Sequence, residues 1–493
     1  MKIAEGSFRG AGVGLFGLLF GVLSVGLLAT RHPVLALVPC LALPVLIYLA
    51  RSPEAGFYFL VGYLPFQNYT TLMMVGEYDF FTIQKFVGAW VILVLALAAI
   101  ANKRPTVNLH SNLWVWFAGL WLTGFVSLLF SEYRLVSSNE LRRQLVDLLY
   151  FTLSLAFLSR KDLYSRKIPV LIVTTVTASA LLSIYGYVFH VDKLSLNVLQ
   201  GEDFRRAQGG SHDPNYFASI IVFSMPFLVH WFHTSKRILV RALTLVLAGI
   251  GVTAIVITFS RGGFLIFAAF AVIAAFEYMR KLRPKHLGFF TFIAAAAIVF
   301  LAVFVPRSFW ERQRTTFTAS EIKTDYSLSR RLSYLVVGWE EFKKRPLLGA
   351  GPGTFGELYG STTIAQVYTN EESELKRASH NSYLSALVGT GIVGLFFFMA
   401  VIVVAYRNFL RAESLFLKAG DDRMVSLTKA YKIAYLTLLI TFFTLNAQNQ
   451  KYFWLSLGFS QAALFLAKGW PAAAGAAAAP VPPPSVGVPR ATG

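Results

Sequence analysis

Residues 238–279 read ILVRALTLVLAGIGVTAIVITFSRGGFLIFAAFAVIAAFEYM. The apolar runs 238–259 and 262–279 are each close to the ~20 residues that cross ~30 Å of hydrocarbon. Only the turn at Ser260–Arg261 separates them. Within a bilayer the backbone must satisfy its own hydrogen bonds, which a helix does and an open strand does not. The stretch therefore predicts a helical hairpin in a membrane, with an arginine at its tip.

The same pattern runs through the 493 residues: 56% are hydrophobic and only 14% charged, with a mean hydropathy of +0.58. Further spans are expected near 11–30, 33–50, 83–101, 112–130, 145–158, 168–189, 215–232, 287–305, 382–406, 433–447 and 453–468. The stretch 55–75 is a weaker candidate, because Pro65 and the polar QNYTT segment interrupt it. The expected fold is thus all-α and polytopic, with about 12–14 transmembrane helices and a partly helical outer loop. No cleavable signal peptide is expected, since the first apolar run leads into a second without a small-residue cleavage site.

Orientation follows from the short loops. Arg160, Lys161, Arg166, Lys167, Lys236, Arg237, Arg280, Lys281, Arg283, Lys285 and the basic residues of 407–432 alternate onto one side. That is the positive-inside pattern. It predicts cytoplasmic termini and puts 191–214, the Ser260–Arg261 turn and the long loop 306–380 outside. Much of the +20 formal charge is then topology signal, which leaves no case for nucleic acid. Three parts are expected: N-terminal transmembrane helices 1–190, a region 191–470 that carries loop 306–380, and a disordered cytoplasmic tail 471–493 rich in Ala and Pro. Segment 407–432 reads as short interfacial helices.

Other signals are mostly negative. The single cysteine, Cys40, allows no internal disulfide. The eight histidines form no H-x-x-x-H or HExxH pair, so neither a protein-held metal nor another cofactor is expected. In loop 306–380, Leu332, Leu335, Val336, Trp339 and Phe342 recur at spacings of three and four, the mark of an amphipathic helix. It should end at Arg345–Pro346, because the residue before proline leaves the α region. Such a helix can lie in the membrane interface and roof a site built from span ends. Gly349, Gly351 and Gly353 then read as a turn device.

Four basic residues fall on the outer face: Arg206, Arg261, Arg331 and His380. Guanidinium groups pair with phosphate oxygens as planar forks, and a histidine near neutrality can accept a proton. Each also has a plainer reading. A span-end arginine can snorkel to headgroups, and His380 can simply start a helix capped by Ser379 or Asn381. Asp213 and Asn215 most simply cap the span after Pro214, with a sugar contact secondary. Arg205 and Arg330 adjoin the favoured arginines, and the sequence does not choose within either pair.

Four segments together, RAQGGSHDPNYFA (206–218), TFSRGG (258–263), RLSYLVVGWEEFKKRPLLGAGPGTF (331–355) and SHNSYL (379–384), resemble the O-antigen ligase and polymerase superfamily of bacterial envelope glycosyltransferases. The resemblance covers roughly 200–405. It implies a GT-C-like membrane enzyme of the bacterial inner membrane whose site faces the periplasm. It also implies transfer of a glycan from undecaprenyl diphosphate to an acceptor hydroxyl, inverting and without a metal. His380 would be the base, and Arg206, Arg261 and Arg331, with Arg205 and Arg330 beside them, would bind the diphosphate. Asp213, Asn215 and Asn381 would be possible sugar or acceptor contacts. The acceptor would be lipid A-core in a ligase, the favoured reading, or a second lipid-linked repeat in a polymerase. A lipid-linked glycan flippase is the reading from another class, but mid-span charges beyond Asp147 are too sparse for proton coupling.

Overall fold

The computed structural model describes residues 37–67, 83–101, 108–191, 196–197, 206–211, 213–279, 309–310, 326–368 and 375–469. They form an all-α, polytopic bundle. Its helices are α1 (Leu37–Arg51), α2 (Pro53–Tyr63), α3 (Ile83–Ala101), α4 (Trp114–Leu129), α5 (Arg134–Leu158), α6 (Ile168–Val188), α7 (Pro214–Thr234), α8 (Ile238–Ile257), α9 (Arg261–Met279), α10 (Tyr326–Lys344), α11 (Phe355–Gly360), α12 (Thr363–Tyr368), α13 (Ser382–Lys418), α14 (Asp422–Thr441) and α15 (Lys451–Ala467). A π-helical turn, Leu163–Lys167, leads into α6. Among the described residues, five helical segments are long and apolar enough to cross a membrane: Leu163–Val188, α7, α8, the α9 stretch to Tyr278, and α13. The expected spans 11–30 and 287–305 and the tail 471–493 lie outside the described residues.

One apolar core runs from Leu49 to Ala463. Helix α7 packs on α8, α9 and α14, while α13 packs on α4, α14 and α15. Buried ring contacts join Tyr452, Phe223, Phe227 and Tyr431, and Tyr435 stacks on Phe453, across these helices. Outward-facing residues such as Leu239, Val272 and Phe396 stay exposed, as lipid-facing positions do when the solvent is hydrocarbon.

Helix α13 is broken at Gly391, whose φ of 64° is left-handed. A Cβ there would lie 2.3 Å from the Leu347 carbonyl oxygen, so only glycine lets the Pro346–Pro352 segment enter the break. That segment satisfies the opened backbone. Ala350 N and Gly351 N donate to the Val388 and Gly389 carbonyls at 2.9 Å each, and Ile392 N donates to Pro346 O at 2.9 Å. Ser127 and Ser131 of the α4 end add hydrogen bonds to the Gly389 and Ala350 carbonyls. Irregular backbone survives at membrane depth only when protein satisfies it in this way. Gly349, Gly351 and Gly353 all have positive φ, so the glycine run is a turn device, as the sequence indicates.

Two expectations change and one is refined. Helix α5 starts at Arg134, not near 145, because its polar first half packs under the Pro346–Gly353 segment and Glu132 pairs with Arg345. Segment 407–432 is not a set of short interfacial helices. Helix α13 continues to Lys418, burying Asn408, Phe409, Ala412 and Phe416. Gly420 then closes it in a Schellman motif, with Gly420 N donating to Leu417 O and Asp421 N to Phe416 O. Asp421 immediately caps α14 through Met424 N at 3.1 Å, so the span expected at 433–447 begins at Asp422. The amphipathic helix α10 does end at Lys344, before Arg345–Pro346. Its apolar stripe, however, faces outward: Leu332, Leu335, Val336 and Trp339 are 45–55% exposed. The side turned to the protein is Tyr334 and Val337, with Gly338 against Leu384.

The loops sort into two ends. Lys161 pairs with Asp421 at 3.1 Å, Arg160 with Glu54, and Lys429 and Lys432 with Glu277 and Glu413. These are the loops that carry the basic bias. The Ser260–Arg261 turn, the start of α7, His380 and the α4–α5 turn gather at the other end.

Candidate functional site

Each candidate side chain is set by local structure that the sequence encodes. Strand β1 (Leu196–Asn197) pairs antiparallel with β2 (Arg206–Ala207), matching Leu196 with Ala207 and Asn197 with Arg206. This small ladder, not foreseen in an all-α reading, fixes Arg206. Its side chain is 5% exposed, and Nε donates to the Thr258 carbonyl at 2.9 Å. Thr258 is the C-cap of α8, so the cation meets the negative end of a helix.

The turn that follows is built residue by residue. Phe259 takes a left-handed φ of 48°. Ser260 Oγ accepts from Gly263 N at 2.8 Å, the N-cap bond of α9, and donates to Asn215 Oδ1 at 2.6 Å. Gly263 has no room for a side chain, since a Cβ would lie 2.4 Å from Ala218 Cβ. Arg261 is the first residue of α9. Asp213 caps α7, accepting from Asn215 N at 2.6 Å and Tyr216 N at 3.3 Å, and also from Asn215 Nδ2 at 2.8 Å.

His380 has a left-handed φ of 47°, a conformation that costs of order 1–3 kcal/mol and persists only where the surroundings over-determine it. Asn446 supplies that constraint. Its Oδ1 accepts from Ser379 Oγ at 2.8 Å and Asn381 N at 2.9 Å, one residue either side of the histidine. Its carbonyl accepts from Tyr216 OH at 2.6 Å. Asn381 caps α13 through Leu384 N at 3.0 Å. The His380 ring lies parallel to Tyr334 of α10, 6.0 Å between centroids.

The charges form one group. Burial lowers the Arg331 guanidinium from its usual value, and nearby Arg261 and Arg330 act in the same direction against Asp213. Burial first, then Arg331, Arg330 and Arg377, push His380 down to about 4, with Asp213 opposing. Its imidazole is therefore neutral at pH 7, with a lone pair available. Arg206 is tied to the Thr258 carbonyl, three residues before Arg261. Arg205 lies outside the described residues, while Arg330 and Arg331 both face the histidine's surroundings electrostatically. The bonds made by Asp213, Asn215 and Asn381 are caps and turn ties.

Two contributors were not anticipated. Arg377 stands three residues before His380 in the same basic segment, and that proximity was its only signal. Asn446 opens the polar run NAQNQ (446–450), which interrupts an apolar stretch and is a recognisable break. Residues 243–399 match the family model described as O-antigen ligase. That region, about a third of the chain, is similar to the O-antigen ligase family. The matched segment holds Arg261, Arg330, Arg331, His380 and the break of α13 at Gly391. Arg206, Asp213 and Asn446 are supplied by the chain on either side of it. A comparison with curated proteins gave no match.

Proposed function

We propose that the protein transfers a glycan from undecaprenyl diphosphate to an acceptor hydroxyl of lipid A-core or a similar glycan. The reaction occurs at the periplasmic face of the bacterial inner membrane. The family match over 243–399 supports a ligase- or polymerase-type transferase in general; the donor, the site and its orientation are our reading. The observation that carries it is a neutral, conformationally fixed His380 near Arg331 and Asp213, with Arg261 in turn near Arg331.

In this mechanism Arg331 and Arg261 hold the diphosphate, and Arg206 anchors the turn that presents Arg261. The acceptor O–H gives its proton to His380 as its oxygen attacks the anomeric carbon. The C–O bond to the diphosphate breaks, and its electron pair leaves on the phosphate oxygen. The arginines meet that charge in a partly desolvated site, where fixed cations are most effective. A single displacement inverts the anomeric centre, and no metal is required. The outward stripe of α10 rests in the membrane interface. The division into 1–190, 191–470 and 471–493 is retained, with the catalytic groups in the second part.

The test is purified protein in proteoliposomes with an undecaprenyl diphosphate-linked oligosaccharide. Lipid A-core and a second lipid-linked repeat are offered separately, and products are resolved by mass. Growth of the lipid A-core supports a ligase, and growth of the repeat makes it a polymerase. Movement of the donor across the bilayer without a new glycosidic bond rejects the transferase reading.

A further inference from the structure

Next to the Asn446 segment lies a small, half-open cleft whose chemistry is opposite to that of the arginine group. Its polar rim is Glu140 and Gln144 of α5 with Gln448 and Asn449, and Phe117 and Trp454 lie among its apolar walls. Among its lining residues the one charged group is a carboxylate. Asn449 Nδ2 donates to Glu140 Oε1 at 2.6 Å, which fixes the amide so that Oδ1 is its other end. That Oδ1 and Gln448 Oε1 are buried with no hydrogen-bond partner. Buried polar atoms in native proteins are nearly always paired, directly or through water, so these two acceptors, on adjacent residues that line one cleft, call for donors.

The donor type is constrained. Carboxylate and carbonyl oxygens accept from hydroxyls and repel phosphate, so a diphosphate belongs with the arginines and not here. A pyranose has hydroxyl donors on its edge and C–H groups on its face, suited to the acceptors of the rim and the rings below. The cleft is also tied to the base. Asn446 holds Ser379 and Asn381 while Asn449, three residues on, holds Glu140; ~10 Å of chain at most separates them. On the far wall, Ser385 lies one turn of α13 beyond the Asn381 cap.

We infer that this cleft binds an uncharged pyranose of the acceptor glycan, with Glu140, Gln448 and Asn449 receiving its hydroxyls. It thereby brings the attacking hydroxyl to His380. The assignment rests on the transferase reading only for the word acceptor; sugar binding itself does not.

Two measurements test it, both on the full chain in lipid nanodiscs. The first is saturation-transfer NMR with the methyl glycosides of glucose, galactose and N-acetylglucosamine, without donor. At least one should receive saturation from the wild type. Glu140→Gln, which preserves shape and still accepts from Asn449, and Asn449→Leu should each lose most of that signal, whereas Arg331→Ala should keep it. The second is transfer kinetics, where Asn449→Leu should raise the acceptor KM about tenfold, the equivalent of one lost hydrogen bond, and leave the donor KM unchanged. No saturation of any glycoside in the wild type, an unchanged signal in Glu140→Gln, or an equal rise in donor KM would overturn the inference. A wild type that binds glycoside but transfers nothing would leave the sugar site standing and remove the proposed function.

Discussion

The electrostatics around His380 make a pH profile the most informative perturbation. Burial and Arg331 lower its ionisation to about 4, so the base-competent neutral form is present above that pH and lost as pH falls through it. At pH 6 a histidine ionising near 4 is ~99% neutral, whereas one at the ordinary 6.5 is only ~25% neutral. The ratio of kcat/KM at pH 6 to that at pH 8, which reports the free enzyme, should therefore be near one and not near one quarter. Bound diphosphate places negative charge against Arg331 and favours the imidazolium, so the inflection in kcat should fall at higher pH than that in kcat/KM. Arg331→Gln should move the free-enzyme inflection upward but leave it below 6.5, because burial, the largest cause, remains. The assay is single-turnover transfer in proteoliposomes across about pH 3–8, a range that brackets ionisations from about 4 to about 6.5. An inflection near 6.5 in the wild type, unmoved by Arg331→Gln, would refute the reasoning.

Other outcomes follow from the same contacts. Arg331→Ala should sharply reduce transfer and Arg331→Lys restore only part of it, since lysine lacks the planar fork. Arg206→Lys should lower both the melting temperature and transfer, because the lost Nε bond leaves the Thr258 carbonyl unpaired, at a cost of about 1–3 kcal/mol; thermal melts beside activity check this. Asn446→Leu should cut kcat by at least tenfold while donor binding persists, because two ties around the strained His380 backbone disappear; donor binding by fluorescence quenching separates the two. Gly391→Ala should fail to give folded protein on size-exclusion chromatography, as its Cβ meets the Leu347 carbonyl. Cysteines at Ser327 and Ser361 should react with an impermeant thiol reagent from outside, and one at Ala419 only after the inner face is opened.

Much of this molecule is legible from residue pattern. The α8–α9 hairpin, the end of α10 at Lys344 and the capping roles of Asp213 and Asn381 follow from hydropathy, proline sterics and cap chemistry. What escaped was long-range. Nothing local in 382–406 says that α13 breaks at Gly391, because the break is stabilised by a partner segment some forty residues upstream. The polar half of α5 reads as loop because its hydrogen-bonding groups meet a glycine-rich segment, and Glu140 and Asn449 meet only in the fold. Segment 407–432 misled for a related reason: its mixed charges are paired across helices, as in Lys432 with Glu277 and Glu413, and so are compatible with a buried helix. Arg331 and His380 were visible as residue types in a recurring segment, whereas the clamp on His380 by Asn446 was not.

The most direct measurement compares wild type, His380→Ala and His380→Gln in one set of proteoliposomes, recording donor binding and the rate of glycan transfer together. With His380 as the base, both variants should bind the undecaprenyl diphosphate donor as the wild type does. Both should also transfer ~10²–10⁴-fold more slowly, the range for loss of a general base. Full activity in His380→Gln with an unchanged pH profile would contradict the central claim and reduce the histidine to a hydrogen-bonding residue at the start of α13.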